Sequence, residues 1–326
     1  MNTRLYRCIG KGFCGSVWAL EDASTAIKRE DGGPGRSVTN DYNMHILVLQ
    51  SASRHLSPSS PVRIQQCYAL VQPADVWWQD RLQQFPAGYS ACRAIVLERI
   101  LKIIRCIGDK IVDLFCADDP ELCQSVKSNP DDDACLIRPY LGRRRRYNQD
   151  GGESRFRRFS LRNVPLHIDQ MEMLGMDAAA YAEAITEALA MMHWGAHIDA
   201  GDVEFVLAPS RAESSTSSVF RSAYLGTHSL WILDFDCCQR FEMDEAGVEK
   251  ACEAFFKNDP FYPRPGSEEA ADEERWKVFK RRFLVASRRI LGGSGGDAAL
   301  PERLIEMIEN EGNARRRRKE ELVRSY

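Results

Sequence analysis

The chain has 326 residues, of which 44% are hydrophobic and 28% charged, proportions typical of a folded globular protein that exclude a wholly disordered or fibrous chain. Its 44 basic and 47 acidic residues give a formal net charge of -3, so the whole chain is not a polycation that binds nucleic acid through charge alone. The sequence contains neither an apolar run of about 18 residues that could cross a membrane nor an apolar signal-peptide core at its start. We therefore expect a cytoplasmic location and no membrane partner.

The eleven cysteines are scattered along the chain without any CxxC pair. Structural zinc sites usually draw their cysteines and histidines from short, regular spacings. The spacing therefore predicts no zinc site, and we expect reduced thiols that are mostly buried.

The first hundred residues are predicted to form a unit of five strands and one helix. Alternating apolar residues at 5–9, 17–20 and 25–28 predict three short strands. Residues 38–49 carry apolar side chains at helical spacing, and two further strands are predicted within 62–72 and 93–100.

Residues 101–326 are predicted to be mainly helical. The strongest helix spans 177–194 and is expected to be central and buried, because its apolar residues recur at helical spacing. The other predicted elements are strands at 135–141, 205–208 and 230–235, a Ser-rich loop at 210–222, and helices near 245–257, 270–291 and 299–323, the last of them basic.

A glycine-rich motif lies between the first two predicted strands. Gly10, Gly12, Gly15 and Val17 spell GxGxxGxV, and Lys28 follows on the third strand. Glycines let backbone amides approach phosphate oxygens without a Cβ clash, and a lysine adds a cation. A dinucleotide-binding motif requires a helix after its third glycine, whereas a strand is predicted here. The alternative is a simple turn, since turns also collect glycine.

Two acidic motifs follow the central helix. Asp199 lies in an HxD sequence, with Glu204 five residues later at the start of an apolar run. Asp234 and Asp236 form a DFD sequence at the end of another apolar strand. Either motif alone is more often a surface loop, but the glycine motif, HxD and DFD in this order favour a common site.

The ordered motifs resemble those of the protein-kinase-like superfamily, and they are nearer to its aminoglycoside and choline phosphotransferase branch than to the protein kinases. The segments CLIRPYLGRRR, PLHIDQMEMLG and LWILDFDCCQRF also resemble an uncharacterised fungal family of unknown function, some members of which carry a zinc-finger label. The resemblance implies an α+β, bilobal protein-kinase-like fold, with a small five-stranded antiparallel N-lobe at 1–100 and a mostly helical C-lobe at 101–326.

The resemblance also implies ATP and Mg²⁺ in a cleft between the lobes. Asp199 would be the base that accepts the proton of an attacking hydroxyl. The remaining implied roles are phosphate contacts from Gly10, Gly12, Gly15, Val17 and Lys28, a partner for Lys28 at Asp41, a hinge contact at Glu98, and metal ligands at Asp234, Glu204 and Asp236.

Three functions stay open at this point. The first is ATP- and Mg²⁺-dependent phosphoryl transfer to a hydroxyl of a small molecule. The second is a pseudokinase that acts as a scaffold or regulator with a protein partner, because Glu204 stands where asparagine is expected and no APE sequence follows DFD. The third is a nucleic-acid-associated regulator that uses the arginines within residues 143–158, although a solvated loop is the simpler interpretation. The basic run at 315–319 is either an exposed helix face or a nuclear-import signal.

Overall fold

The computed structural model describes residues 5–33, 35, 37–116, 119–145, 159–209, 219–293, 297 and 299–324. Over these residues the protein is a mixed α/β structure with two β-sheets. The first sheet has five antiparallel strands in the order β1-β2-β3-β6-β5. Its strands are β1 (Arg7–Lys11), β2 (Ser16–Ala19), β3 (Thr25–Arg29), β5 (Cys67–Val71) and β6 (Ala94–Glu98).

The second sheet has the order β10-β11-β9-β7-β8, and β4 pairs in parallel with β11. Its central strands β9 and β11 are antiparallel, with Leu233 at the end of β11 opposite Glu204 at the start of β9. This register places DFD and the residues that follow HxD at one end of the sheet. The strands are β4 (Val62–Ile64), β7 (Ile137–Tyr140), β8 (Val164–His167), β9 (Glu204–Pro209), β10 (Phe220–Ser222) and β11 (Gly226–Leu233).

Several of the helices begin where a capping side chain satisfies one of their first amide groups. Ser37, Asp119, Asp177 and Asp244 each accept a hydrogen bond from a backbone N–H in the first turn of the helix that follows. The helices are α1 (Val38–His55), α2 (Arg105–Phe115), α3 (Pro120–Ser128), α4 (Ile168–Met173), α5 (Ala178–Ala190), α6 (Glu245–Lys257), α7 (Ala270–Gly292) and α8 (Leu300–Arg324).

The main core surrounds α5 and the π-helical turn Met191–Gly195 that extends it. Tyr181, Ile185 and Leu189 of α5 are buried, as is Trp194 of the π-helical turn. α7 packs along α5, and Gly195 lies so close to α1 that a Cβ there would be 2.2 Å from Ser51 Oγ. α1 is thereby held against the part of the chain that leads into HxD.

The five-stranded antiparallel sheet and the buried helix 177–194 are confirmed, and the coarser prediction of a mixed α and β fold holds. The single strand predicted within 62–72 is wrong: Gln65 and Gln66 separate β4 from β5, and the two strands join different sheets. β8, α4 and β10 were not predicted. Of the Ser-rich loop, residues 210–218 lie outside the described residues. No helix in the described part of the chain is long and apolar enough to span a membrane.

Candidate functional site

Lys28 joins two distant acidic residues in a largely buried ion-pair cluster, in which the Asp234 side chain keeps 34% of its surface exposed. Its Nζ lies 2.5 Å from Asp41 Oδ2 of α1 and 2.6 Å from Asp234 Oδ1, which follows β11. The three residues come from parts of the chain up to 206 positions apart. The structure therefore brings together the lysine of the glycine-motif region and the first carboxylate of DFD.

The DFD loop is fixed to the start of α1 by hydrogen bonds to its backbone. Phe235 N donates to Asp41 Oδ1 over 3.1 Å. Asn40 Nδ2 donates to the carbonyl oxygens of Asp236 and Cys238, at 2.8 and 3.0 Å. Asp234 itself has a φ of 66°, in the left-handed region that non-glycine residues seldom adopt. These bonds offset the cost of that conformation and hold the carboxylates in place.

Asp199 lies against the same loop. Its side chain accepts hydrogen bonds from Gly201 N at 3.0 Å and Gln239 N at 2.9 Å, and its own N–H donates to the Gln239 carbonyl. Burial nevertheless raises the pKa of this carboxyl above its ordinary value, against the effect of those amides. Asp199 therefore lies beside Gln239, in the segment that follows Asp234 and Asp236.

The electrostatics of the site follow from a shortage of cations. Burial alone would lower the pKa of Lys28, but the charges of Asp41 and Asp234 outweigh it and raise that pKa well above its usual value. Burial also acts to raise the pKa of Asp234, and Lys28 outweighs it and lowers that pKa. Burial and the charge of Asp234 raise the pKa of Asp236 to about 6. The pKa of Asp236 thus lies above the ordinary value of an aspartate and that of Asp234 below it.

Glu204 is engaged by an arginine that the sequence analysis did not single out. Arg138 of β7 donates from Nη2 to Glu204 Oε1, and its Nη1 lies 3.3 Å from Asp259 Oδ2. Burial raises the pKa of Glu204 in spite of this cation. Arg138 was missed because one arginine in the strand CLIRPYL carries no motif, and its only signal was a charge in an otherwise apolar strand.

The glycine motif forms a tight β1–β2 hairpin in which the glycines differ in their surroundings. Gly12 N donates to the Gly15 carbonyl over 2.8 Å. A Cβ at Gly15 would lie 1.8 Å from the Arg29 carbonyl oxygen, whereas a Cβ at Gly12 would meet nothing within 4 Å. Gly15 is therefore required by packing. Gly10 faces Val17 across the hairpin, and Gly12 leaves open space at the tip.

Glu98 lies at the end of β6 and bonds Gln65 and Gln66, the two residues that link β4 of one sheet to β5 of the other. Its backbone N–H donates to the Gln66 carbonyl at 2.8 Å, its carbonyl accepts from Gln65 Nε2 at 2.8 Å, and its carboxylate accepts from Gln66 N at 3.1 Å. These groups form hydrogen bonds within the protein. They do not support the contact between Glu98 and an adenine, which stays a prediction.

An open cavity of about 540 Å³ lies beside the DFD loop. Asn40 and Met44 of α1 line one side, and residues 236–240 line the other. The cavity gives a ligand access to Asp236.

The described part of the first arginine tract is held by acidic side chains. Arg144 pairs with Glu172 and Asp272, and Arg145 pairs with Asp169. The rest of the tract, residues 146–158 with Arg146, Arg155, Arg157 and Arg158, lies outside the described residues.

Comparison with known families changes the classification suggested by the motifs. Residues 230–295 match the model of the family DUF3669, described as a zinc finger protein. No curated protein matches the chain. The match covers DFD and the two helices after it. Since the matching family is not a kinase family, the assignment to the protein-kinase-like superfamily is wrong. Family resemblance therefore gives no basis for describing the protein as kinase-like, as a pseudokinase or as ATP-binding.

The residues of the matched segment do not fit a zinc finger. The segment contains three cysteines and no histidine, fewer than the four cysteine or histidine ligands of a structural zinc site. Burial raises the pKa of Cys238 well above its usual value and that of Cys252 to about 11, which disfavours the thiolates that bind zinc. Within the described ranges, the one cluster of three possible ligands is Asp202, Asp236 and Cys237, two oxygens and one sulfur.

Proposed function

We propose that the site binds a nucleoside triphosphate with Mg²⁺, ATP being the reference nucleotide, and transfers the terminal phosphoryl group to a hydroxyl of a small molecule. The proposal is supported by the ion pair of Lys28 with Asp234 and by the hydrogen bonds that join Asp199 to Gln239, in the segment that follows DFD. It depends on these positions and not on family membership. As part of the proposal, the two sheets form two lobes on either side of the site, an arrangement of the protein-kinase type.

Asp234 and Asp236 suit a magnesium ion because they offer hard oxygen donors two residues apart in one loop. The bound ion would supply charge neutralisation for the phosphates. Glu204 is paired with Arg138, and we leave it out of the proposed ligand set. Lys28 contacts phosphate oxygens in this proposal, and Asp41 holds its ammonium group in place.

Asp199 accepts the proton of the attacking hydroxyl. Its carboxylate is oriented by the amides of Gly201 and Gln239, so it needs little reorganisation to act as a base. Its raised pKa makes it a better proton acceptor than an exposed aspartate. We expect Asp199→Asn to lower turnover by roughly 10²- to 10⁴-fold while Mg²⁺-ATP still binds.

A scaffold without catalysis is the second candidate, and one observation favours it. Both the lysine and the glutamate of the site are already paired within the protein, Lys28 with Asp41 and Asp234, and Glu204 with Arg138. A site closed by its own ion pairs is suited to holding a fixed conformation. By contrast, Arg144 and Arg145 are paired with acidic residues of the protein, so these two arginines give the nucleic-acid alternative no support.

The decisive experiment is a thermal shift with Mg²⁺-ATP followed by a turnover assay over a set of small-molecule alcohols. A ligand at about 100 times its dissociation constant stabilises the folded state by about 2.7 kcal/mol, which is readily seen as a higher melting temperature. Binding with turnover supports phosphoryl transfer. Binding without turnover supports the scaffold, and an unchanged melting temperature contradicts nucleotide binding.

A matched pair of glycine variants tests whether the hairpin covers the phosphates. A Cβ added at Gly12 or at Gly292 would meet no other atom within 4 Å, so alanine fits at either position. We expect Gly12→Ala to weaken Mg²⁺-ATP binding, because a methyl group at the tip keeps the amides away from phosphate oxygens. Gly292→Ala, at the end of α7, should leave the affinity unchanged. Equal affinities for both variants would contradict the phosphate-covering role.

A further inference from the structure

Arg138 is a cation at the edge of the site to which the proposed function gives no role. It lies on β7 next to Ile137, which pairs with Leu207 of β9. β9 begins at Glu204, opposite the last residue of β11, and Asp234 follows directly. Neighbouring strands therefore place Arg138, Glu204 and Asp234 at the same end of the sheet.

The guanidinium of Arg138 has two partners and one buried N–H group without a partner. It bonds Glu204 and Asp259, the latter also held by the Tyr140 hydroxyl at 2.5 Å. Arg138 Nε is buried and has no hydrogen-bond partner among the described residues. The side chain as a whole keeps 18% of its surface exposed, so solutes can reach part of it.

The charges at the site favour a further cation, besides Lys28 and the bound Mg²⁺, when a triphosphate binds. Lys28 is already shared by Asp41 and Asp234, and a triphosphate adds further negative charge beside Asp199 and Asp236. Arg138 is close to the site, because it bonds Glu204, which pairs across the sheet with Leu233, the residue directly before Asp234. A planar guanidinium also matches phosphate oxygens with two parallel hydrogen bonds, which an ammonium group cannot do.

We propose that Arg138 binds the terminal phosphate of the nucleotide, exchanging the Glu204 carboxylate for phosphate oxygens when the triphosphate enters. Glu204 then serves as the internal anion that holds the guanidinium in position in the absence of nucleotide. This inference rests on the proposed function and adds a phosphate-binding residue that no motif marked.

The test is the ratio of ATP to ADP affinity, measured by calorimetry with Mg²⁺ present. Removing a charge-assisted hydrogen bond typically costs about 1.5 to 3 kcal/mol, so Arg138→Lys should weaken ATP binding by roughly 10- to 100-fold. ADP lacks the terminal phosphate, and its affinity should change less than about twofold. A residue with only a structural role would affect both nucleotides alike. Arg303→Ala, which removes an exposed arginine of α8, should change neither affinity.

Two further variants test the proposal if Arg138→Lys unfolds the protein. Arg138→Met combined with Glu204→Gln removes both charges of the pair and should show the same selective loss of ATP affinity. Glu204→Gln alone weakens the hold on Arg138 and should strengthen ATP binding. If the native protein binds ATP and the ATP to ADP ratio is the same in all variants, Arg138 has no role at the phosphate. If the native protein binds neither nucleotide, the proposed function fails and this inference falls with it.

Discussion

Two ion-pair clusters in the molecule differ in how their charges balance. In the first, Lys28 meets Asp41 and Asp234, and Asp236 lies beside them. In the second, Arg144 and Arg275 each contact both Glu172 and Asp272, so two cations face two anions. The balanced cluster ties α4 to α7 near the surface. The buried cluster has more carboxylates than cations.

The difference separates a structural ion-pair network from a candidate binding site. A balanced network is complete without any ligand, and its exposed pairs contribute little to stability. An excess of buried carboxylate costs free energy unless a cation joins it. The protein pairs both Asp41 and Asp234 with one lysine at this cost, which is expected where a site is arranged for a metal ion and phosphates.

Lys28→Met is expected to have the largest effect, because it removes the cation from the buried cluster and leaves Asp41 and Asp234 facing each other. Breaking one partner of a buried ion pair typically costs about 3 to 5 kcal/mol, and we expect a loss of this size in urea unfolding. Nucleotide binding should be lost with it. Replacing both partners, as in Lys28→Met with Asp41→Asn, should restore part of the stability and none of the binding. A single variant as stable as the native protein would show that the cluster carries no buried charge.

The second prediction concerns the pH dependence of Asp236. Its pKa is raised from 3.8 to about 6 in the folded protein, so the folded state retains a proton that the unfolded state has released. This group therefore lowers stability as the pH rises through that interval, and its penalty is constant above it. The full shift corresponds to about 3 kcal/mol. Because solvent screens this half-buried carboxylate, we expect the native protein to lose about 1 to 2 kcal/mol of unfolding free energy relative to Asp236→Asn between those pH values.

The response to magnesium is a second test of Asp236. Because the ion binds the deprotonated carboxylate, Mg²⁺ should raise the melting temperature of the native protein more above the pKa of Asp236 than below it. Asp236→Asn should reduce that response, and Asp80→Asn, at an exposed aspartate of the first hundred residues, should retain it. A magnesium response independent of pH would contradict the assignment of Asp236 as a metal ligand.

The elements that the sequence predicted well are those determined by local periodicity and caps. α6 spans Glu245–Lys257, the predicted limits, because Asp244 caps a helix whose apolar residues fall on one face. The strand at 62–72 was wrong because its division depends on β11, which lies more than 160 residues further along the chain. Parallel pairing between such distant segments leaves no local pattern.

The sequence predicted the acidic residues and the lysine of the candidate site, but it did not predict the ion pairs that balance their charges. The order of the motifs predicted that Lys28, Asp199 and Asp234 belong together, and the resemblance implied Asp41 as the partner of the lysine. The close pairing of Asp41 with Lys28 depends on the position of α1 against the DFD loop, which Asn40 secures. The pairing of Arg138 with Glu204 follows from strand register, which the sequence does not reveal.

Arg144→Ala should have the smallest effect, and it tests the balanced cluster of Arg144, Arg275, Glu172 and Asp272. Its partners Glu172 and Asp272 retain the contact with Arg275, and the Arg144 side chain is 27% exposed, so we expect a loss of only about 0.5 to 1 kcal/mol. High salt should reduce the loss further, because it screens exposed charges, and Mg²⁺-ATP affinity should not change. Urea unfolding at two salt concentrations, with calorimetry of the same variant, measures these quantities. A loss as large as that of Lys28→Met, or a change in nucleotide affinity, would show that the balanced cluster is part of the site.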